Sequence, residues 1–266
     1  MQRTEISLKT SVDIARIRRA SRVIEKTFRF LKDYIEPGIT TLELESLAAR
    51  YIEKNGGKAA LRGFKDFPGK ICTSINNVTA HGMPDNNKLS KGDILTVDII
   101  VEVDGWYSDA SWTYGVGKLD EDALRLIRAA WQATLAGIMS ASAGNRMGDI
   151  GSAIKDTVEK YGCSVAEDFA GHGIGKAIHE DPLVPNIGER GTGIQIVPGM
   201  VFTVEPLVYL GKGGIKLIED GFTLITADSS LSAQYEQTIA IWRDSIEVLT
   251  FSHGKMEDYL DFPPFF

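Results

Sequence analysis

Cysteine is scarce in this sequence: Cys72 and Cys163 are the only two, far apart and outside any CxxC pair. They give no disulfide framework, and free thiols suit a reduced, cytosolic setting. A basic excess is missing as well. The chain carries 29 Lys and Arg against 36 Asp and Glu, a net charge of −7 and a pI near 5.2, which argues against a nucleic-acid binder. No run of about 18 apolar residues occurs, so no membrane span is expected. The opening MQRTEISLKTSVDIARIRRA has neither the apolar core nor the small-residue cleavage site of a secretory signal. What remains is ordinary for a globular protein, with 43% apolar and 24% charged residues and enough length to bury a core without disulfides. The tail MEDYLDFPPFF is too short for a domain and reads as a packed or frayed end.

Helical spacing of Ile14, Ile17, Ile24, Phe28 and Leu31 predicts a helix over Ser11 to Tyr34, closed by Pro37-Gly38. Thr40 and Glu43 form a capping box for a second helix carrying Leu44, Leu47, Ala48, Tyr51 and Ile52, which stops at Gly56-Gly57. A third helix is expected over Ala123 to Ala141, with Leu124, Ile127, Trp131, Leu135 and Ile138 on one side. After Gly144 a shorter one carries Ile150, Ala153, Ile154 and Val158, ending at Gly162.

The second half repeats the first. At an offset of 106 residues, Gly38, Ser46, Glu53, Lys54 and Gly56 fall on Gly144, Ser152, Glu159, Lys160 and Gly162. At an offset of 107, GDILTVD from Gly92 falls on GMVFTVE from Gly199, which sets Asp98 on Glu205. One duplication is too short for a solenoid. It implies one domain over 1–266, with related halves at about 11–116 and 120–249, and an α+β architecture of helices covering a curved, largely antiparallel sheet.

The chemistry gathers on the expected strands. ILTVDIIVEVDGWYSDASWTYGV reads as a hairpin turning at Asp104-Gly105. A two-residue loop there pairs Asp109 with Ile100, so Asp98 and Asp109 share a face as diagonal neighbours about 5–8 Å apart. Carboxylates that close repel unless a cation or proton lies between them; the alternative is a solvated pair on an open sheet face. Glu205 ends the apolar run MVFTVEP, and Glu236 sits in SAQYEQTIAIW, where Glu236, Thr238 and Ala240 should share one face. His172 and His179 lie in AGHGIGKAIHEDP, whose glycines let the backbone turn sharply or approach a ligand closely. His81 also sits in a glycine-bearing loop, while His253 reads as structural. The segment is not a dinucleotide loop, since no ribose-binding acid follows a GxGxxG. Four carboxylates and an imidazole make a hard ligand set suited to Mn, Fe, Co or Zn, with charge enough for two divalent ions sharing a water.

HGMPD at His81, TVDI around Asp98, GWYSDAS around Asp109, GHGIGKAIHE, FTVEP and LSAQYEQT together closely resemble the type I methionine aminopeptidases. These belong to the pita-bread metallopeptidase family, with aminopeptidase P and prolidase. The resemblance runs from the first helix to about Leu249. It implies removal of the initiator methionine from nascent polypeptides, with a small second residue preferred. By the same resemblance, Asp98, Asp109, His172, Glu205 and Glu236 hold two divalent ions bridged by Asp109 and Glu236, with Asp98 on one ion and His172 and Glu205 on the other. Glu205 shuttles a proton, His179 touches the scissile amide, and His81 assists proton transfer near the substrate N-terminus. Phe64, Phe67, Cys72, Ile178 and Phe222 form the methionine pocket, where relatives often carry tyrosine or tryptophan. The backbone at Asn76, Val78 and Ser232 matches a monovalent-cation site. A cytoplasmic monomer in transient contact with the ribosome is the expected setting.

Three alternatives stand beside this reading. A proline-directed peptidase on the same fold is disfavoured because the extra N-terminal domain of aminopeptidase P and prolidase is absent. A non-catalytic binding protein is disfavoured by the complete ligand set. A dinuclear phosphoesterase is disfavoured because no basic cluster stands beside the acids.

Overall fold

The computed structural model describes residues 6–212, 214–252 and 263. The expected structural role of His253 and most of the tail therefore lie outside the described residues. Four α-helices are present among them: α1 (Ser11–Lys32), α2 (Thr41–Lys54), α3 (Glu121–Met139) and α4 (Met147–Lys160). In the first half the strands are β1 (Lys58–Ala59), β2 (Cys72–Ile75), β3 (Val78–Ala80), β4 (Ile94–Val103) and β5 (Trp106–Gly115). In the second they are β6 (Ser164–Val165), β7 (Ala170–Gly173), β8 (Glu180–Pro185), β9 (Val201–Val204), β10 (Leu207–Tyr209), β11 (Ile215–Leu217), β12 (Leu224–Thr226), β13 (Ser232–Gln234), β14 (Gln237–Ile241) and β15 (Ile246–Val248).

The helices follow their sequence signals. Thr40 and Glu43 cap α2 reciprocally, and Thr10 and Asp13 do the same for α1. The apolar stripe of α1, Ile14, Ile17, Ile24, Phe28 and Leu31, is buried, each side chain contributing roughly 1.5–3 kcal/mol by leaving water. Helix α3 begins two residues before the expected Ala123, because the Asp120 side chain accepts from the Ala123 N–H and starts the helix there.

The described strand ladders are antiparallel. They group as four hydrogen-bonded sheets, the largest being β15-β14-β9-β7-β8 and the four strands around β4. The two are stitched where the Glu236 N–H donates to Ser111 O and the Asp109 N–H donates to Thr238 Oγ1. The β4–β5 hairpin has the expected register, with Ile100 opposite Asp109 and Asp98 opposite Ser111.

The expected continuous strand through Glu236 is instead two. Strand β13 pairs with β10 and β14 pairs with β9, with a break at Tyr235-Glu236. The partner breaks too, at Glu205-Pro206, where proline has no N–H to give a ladder. Register is the same on both sides: Val204 faces Gln237 and Leu207 faces Gln234, which sets Glu205 against Glu236. The main apolar cluster draws on α1, α2, β4 and β5 as well as α3, α4, β9 and β14, so it spans both halves. Helices against antiparallel sheets make this an α+β fold, the class that the pita-bread resemblance implies.

Candidate metal centre

One cavity of about 1050 Å³ gathers Asp98, Asp109, His172, Glu205 and Glu236, with His81 and His179. Asp98 and Asp109 come from the β4–β5 hairpin, Glu205 and Glu236 from the shared break, and His172 from a register shift between β7 and β8. Gly171 and Gly173 flank His172 at ordinary φ. Their role is space: a Cβ would lie 2.4 Å from Thr203 O at Gly171 and 2.3 Å from Asp181 O at Gly173.

One ligand atom each from Asp109, His172 and Glu236 lie within 4.8 Å of one another. His172 Nε2 is 3.7 Å from Asp109 Oδ2 and 3.7 Å from Glu205 Oε1. Its Nδ1 is 3.0 Å from Gly173 O; donation there leaves the Nε2 lone pair turned to the acids, as metal-binding imidazoles require. Thr203 Oγ1 donates to Glu205 Oε1 at 2.6 Å and accepts from the His172 N–H at 3.0 Å, so one hydroxyl aligns two of these groups.

The electrostatics favour a bound cation. Asp98 Oδ1, Asp109 Oδ1 and Glu236 Oε1 are buried without a hydrogen-bond partner. Burial pushes all four carboxyls above their usual range, reinforced by repulsion from neighbouring acids at Asp109, Glu205 and Glu236. Buried carboxylates left unpaired are expensive, and hard divalent ions match their oxygens and the one imidazole. Burial likewise lowers His172, and it lowers His179 to about 4 with help from the neighbouring His172. The two rings meet edge-on, centroids 4.1 Å apart.

Beside the acids lies an apolar pocket. Leu61, Phe67, Cys72, Ile100 and Ile178 form a cluster, with Phe64, Met83, Tyr107 and Phe222 packed on it. Cys72 is paired in register with Asp98, which sets this pocket against the acids. Phe67 and Phe222 meet edge-on at 5.6 Å, and Phe64 meets the His179 ring at 5.1 Å.

Other side chains at the cavity were not singled out in the sequence. Leu61, Lys65, Asp168, Phe169, Glu180, Leu183, Leu217 and Leu224 line it. Glu180 is held most firmly. Its carboxylate accepts from the N–H groups of Lys176 and Ala177 at 2.7 and 3.1 Å, and from Lys9 Nζ at 2.5 Å. The N-terminal arm thereby clamps the loop that carries Ile178 and His179. A lysine 171 residues away leaves no local sequence signal for such a contact.

Residues 15–241 match the model of metallopeptidase family M24. A methionine aminopeptidase of Clostridium perfringens is 42% identical over 92% of this chain and 98% of its own. The chain belongs to the methionine aminopeptidases of metallopeptidase family M24. A solved methionine aminopeptidase from Rickettsia prowazekii superposes with a TM-score of 0.91 at 40% identity, covering 93% of this chain and 100% of the other. A prolidase from Pyrococcus furiosus is more distant, 20% identical with a TM-score of 0.75 over 92% of this chain and 66% of its own, and shows the shared fold alone. As a member of family M24 the chain is a metallopeptidase. The acid–histidine cluster is where divalent ions fit among the described residues. No described helix is long and apolar enough to cross a membrane.

Proposed function

We propose that this enzyme releases the initiator methionine from new polypeptides, using two divalent ions held by Asp98, Asp109, His172, Glu205 and Glu236. The observation that supports it most is the set of buried, unpartnered oxygens on Asp98, Asp109 and Glu236, directly beside an apolar pocket. With divalent ions bound, the site would gain a water nucleophile at neutral pH and a Lewis acid for the scissile carbonyl. The protein's own groups do the rest. Phe64, Phe67, Cys72, Ile178 and Phe222 surround the methionine side chain, whose thioether suits aromatic edges. Glu205 accepts the proton of the attacking water at its carboxylate and returns it to the departing amine. His179 stays neutral at pH 7 and donates a ring N–H to the scissile amide. His81, at the cavity wall, relays a proton near the substrate N-terminus.

The same reading takes the chain as one catalytic unit of two related halves, a cytoplasmic monomer meeting nascent chains near the ribosome. It includes a monovalent cation at the backbone of Asn76, Val78 and Ser232; Asn76 has φ 53° and its carbonyl accepts from the Ser232 N–H at 2.8 Å. The test is kcat/KM for Met-Ala-Ser, Met-Leu-Ser, Leu-Ala-Ser, acetyl-Met-Ala-Ser and Gly-Pro-Ser. Met-Ala-Ser should lead, Leu-Ala-Ser should trail by about 10–200-fold, as methylene-scale discrimination allows, and the acetylated peptide should fail. Preference for Gly-Pro-Ser would move the enzyme to the proline-directed branch.

A further inference from the structure

Two leucines at this cavity are far more exposed than their type warrants. Leu183 is 66% exposed and Leu217 is 59% exposed, yet both line the cavity that holds the acids. Neither belongs to the apolar pocket beside Asp98. Their places in the sheets tie each to a group at the centre. Leu183 on β8 is the direct cross-strand partner of His172 on β7, so the two side chains stand on one face. Leu217 on β11 pairs with Leu224 on β12, and Leu224 pairs with Ala80 on β3, the residue before His81. Strands lie about 4.7–4.9 Å apart, so Leu217 stands about 10 Å from the Ala80 backbone. Among the described strands, β8 and β11 are also the outer members of their sheets. Open strand edges can hold an extended peptide by its main chain, with side-chain pockets giving preference.

We propose that Leu183 and Leu217 form a downstream subsite that grips an apolar side chain on the third residue of the substrate. The proposal rests on the reading that the first residue occupies the pocket of Phe67, Cys72 and Ile178. With that residue seated and the scissile bond at the acids, the rest of the peptide leaves along the remaining cavity wall, which Leu183, Leu217 and Leu224 line together with Asp168, Phe169 and Asp181. An extended chain advances about 3.3–3.6 Å per residue and alternates its side chains, so the third residue turns away from the wall met by the second and toward this rim. Closing a leucine against two exposed leucines removes apolar surface from water on both partners. On an open rim this is expected to give a preference of about 3–10-fold, below the range of enclosed pockets.

The experiment compares kcat/KM for Met-Ala-Leu-Ser with Met-Ala-Ser-Ser, using the metal-loaded enzyme and the double variant Leu183→Ser/Leu217→Ser. Both sites are exposed, so folding is checked simply by the melting transition, and the variant Leu217→Ile serves as the conservative control. The native enzyme should favour the leucine peptide by about 3–10-fold, Leu217→Ile should keep that ratio, and the double variant should bring it near unity. A ratio of unity in the native enzyme, or an unchanged ratio in the double variant, overturns the proposal. Sedimentation of the same proteins covers a second copy of the chain as occupant: a native dimer made monomeric by the double variant, with the ratio unmoved, assigns the rim to self-association and also overturns it. Hydrolysis of Met-Ala-Ser-Ser by the native enzyme keeps these outcomes separate from failure of the methionine reading itself.

Discussion

Glu205 faces Glu236 across two strands that break together and resume in the same register. Two acids are thus set opposite each other where the backbone leaves one sheet for another, with Asp98 and Asp109 close by on the adjoining hairpin.

That crowding fixes the pH response of metal-free protein. Burial raises the folded pKa of Asp98 to about 6 and of Glu205 to about 8, above unfolded values near 4. The folded state then holds more protons than the unfolded one, so the acids remove stability as pH rises from about 4 through those folded values. His81, His172 and His179 are lowered, and their opposing contribution ends at the unfolded value near 6.5. Between pH 6.5 and 8 only the acids act. Melting temperatures of chelated protein should fall across that window, and Glu236→Gln should raise them at pH 8. A melting temperature that climbs over the same window contradicts the crowding.

The two neighbouring histidines should separate cleanly on substitution. His172→Ala removes the imidazole 3.7 Å from Asp109 and Glu205 and should weaken metal affinity by at least about 10–100-fold, the effect that even supporting groups produce. His179→Ala should keep the metal content while lowering kcat by about 10²-fold or more, as loss of an aligned donor does. Metal analysis with steady-state kinetics decides it; loss of metal in His179→Ala and retention in His172→Ala reverses the assignment.

Lys9 and Glu180 form an ion pair in which the lysine is buried and the glutamate partly so, with side chains 3% and 14% exposed. Lys9→Met removes the charged partner of the Glu180 carboxylate at the base of the His179 loop and leaves it only the Lys176 and Ala177 N–H donors, a loss of about 1.5–3 kcal/mol for a charged hydrogen bond. Unfolding in urea should register this loss, and kcat should fall while bound metal is unchanged. The double variant Lys9→Met/Glu180→Gln should recover much of the stability. Indifference of both stability and kcat to Lys9→Met would show that the clamp does not order the loop.

The parts of the site that were readable in advance lie on regular structure. Asp98 and Asp109 sit in an uninterrupted hairpin whose turn residues Asp104-Gly105 set the pairing, so alternation alone gives their common face. Periodicity and caps likewise place the four helices. Glu205, Glu236 and His172 occupy a double break and a register shift, and a period-of-two reading carries no information across such irregularities. Their convergence came from whole motifs and not from spacing. Glycines at 171 and 173 were readable as special, but their use for close packing against Thr203 and Asp181 depends on partners distant in sequence. The Lys9 clamp and the exposed Leu183 and Leu217 follow from tertiary placement only.

The central claim is that these acids and His172 hold the ions that make methionine release possible. It is tested most directly by titrating a divalent ion into chelated protein while following methionine release from Met-Ala-Ser and counting bound ions. Release should be absent without metal, should appear as ions bind, and should saturate with two ions per chain. Full release by thoroughly metal-free protein, or two tightly bound ions retained after Asp109 and Glu236 are both replaced by alanine, contradicts it.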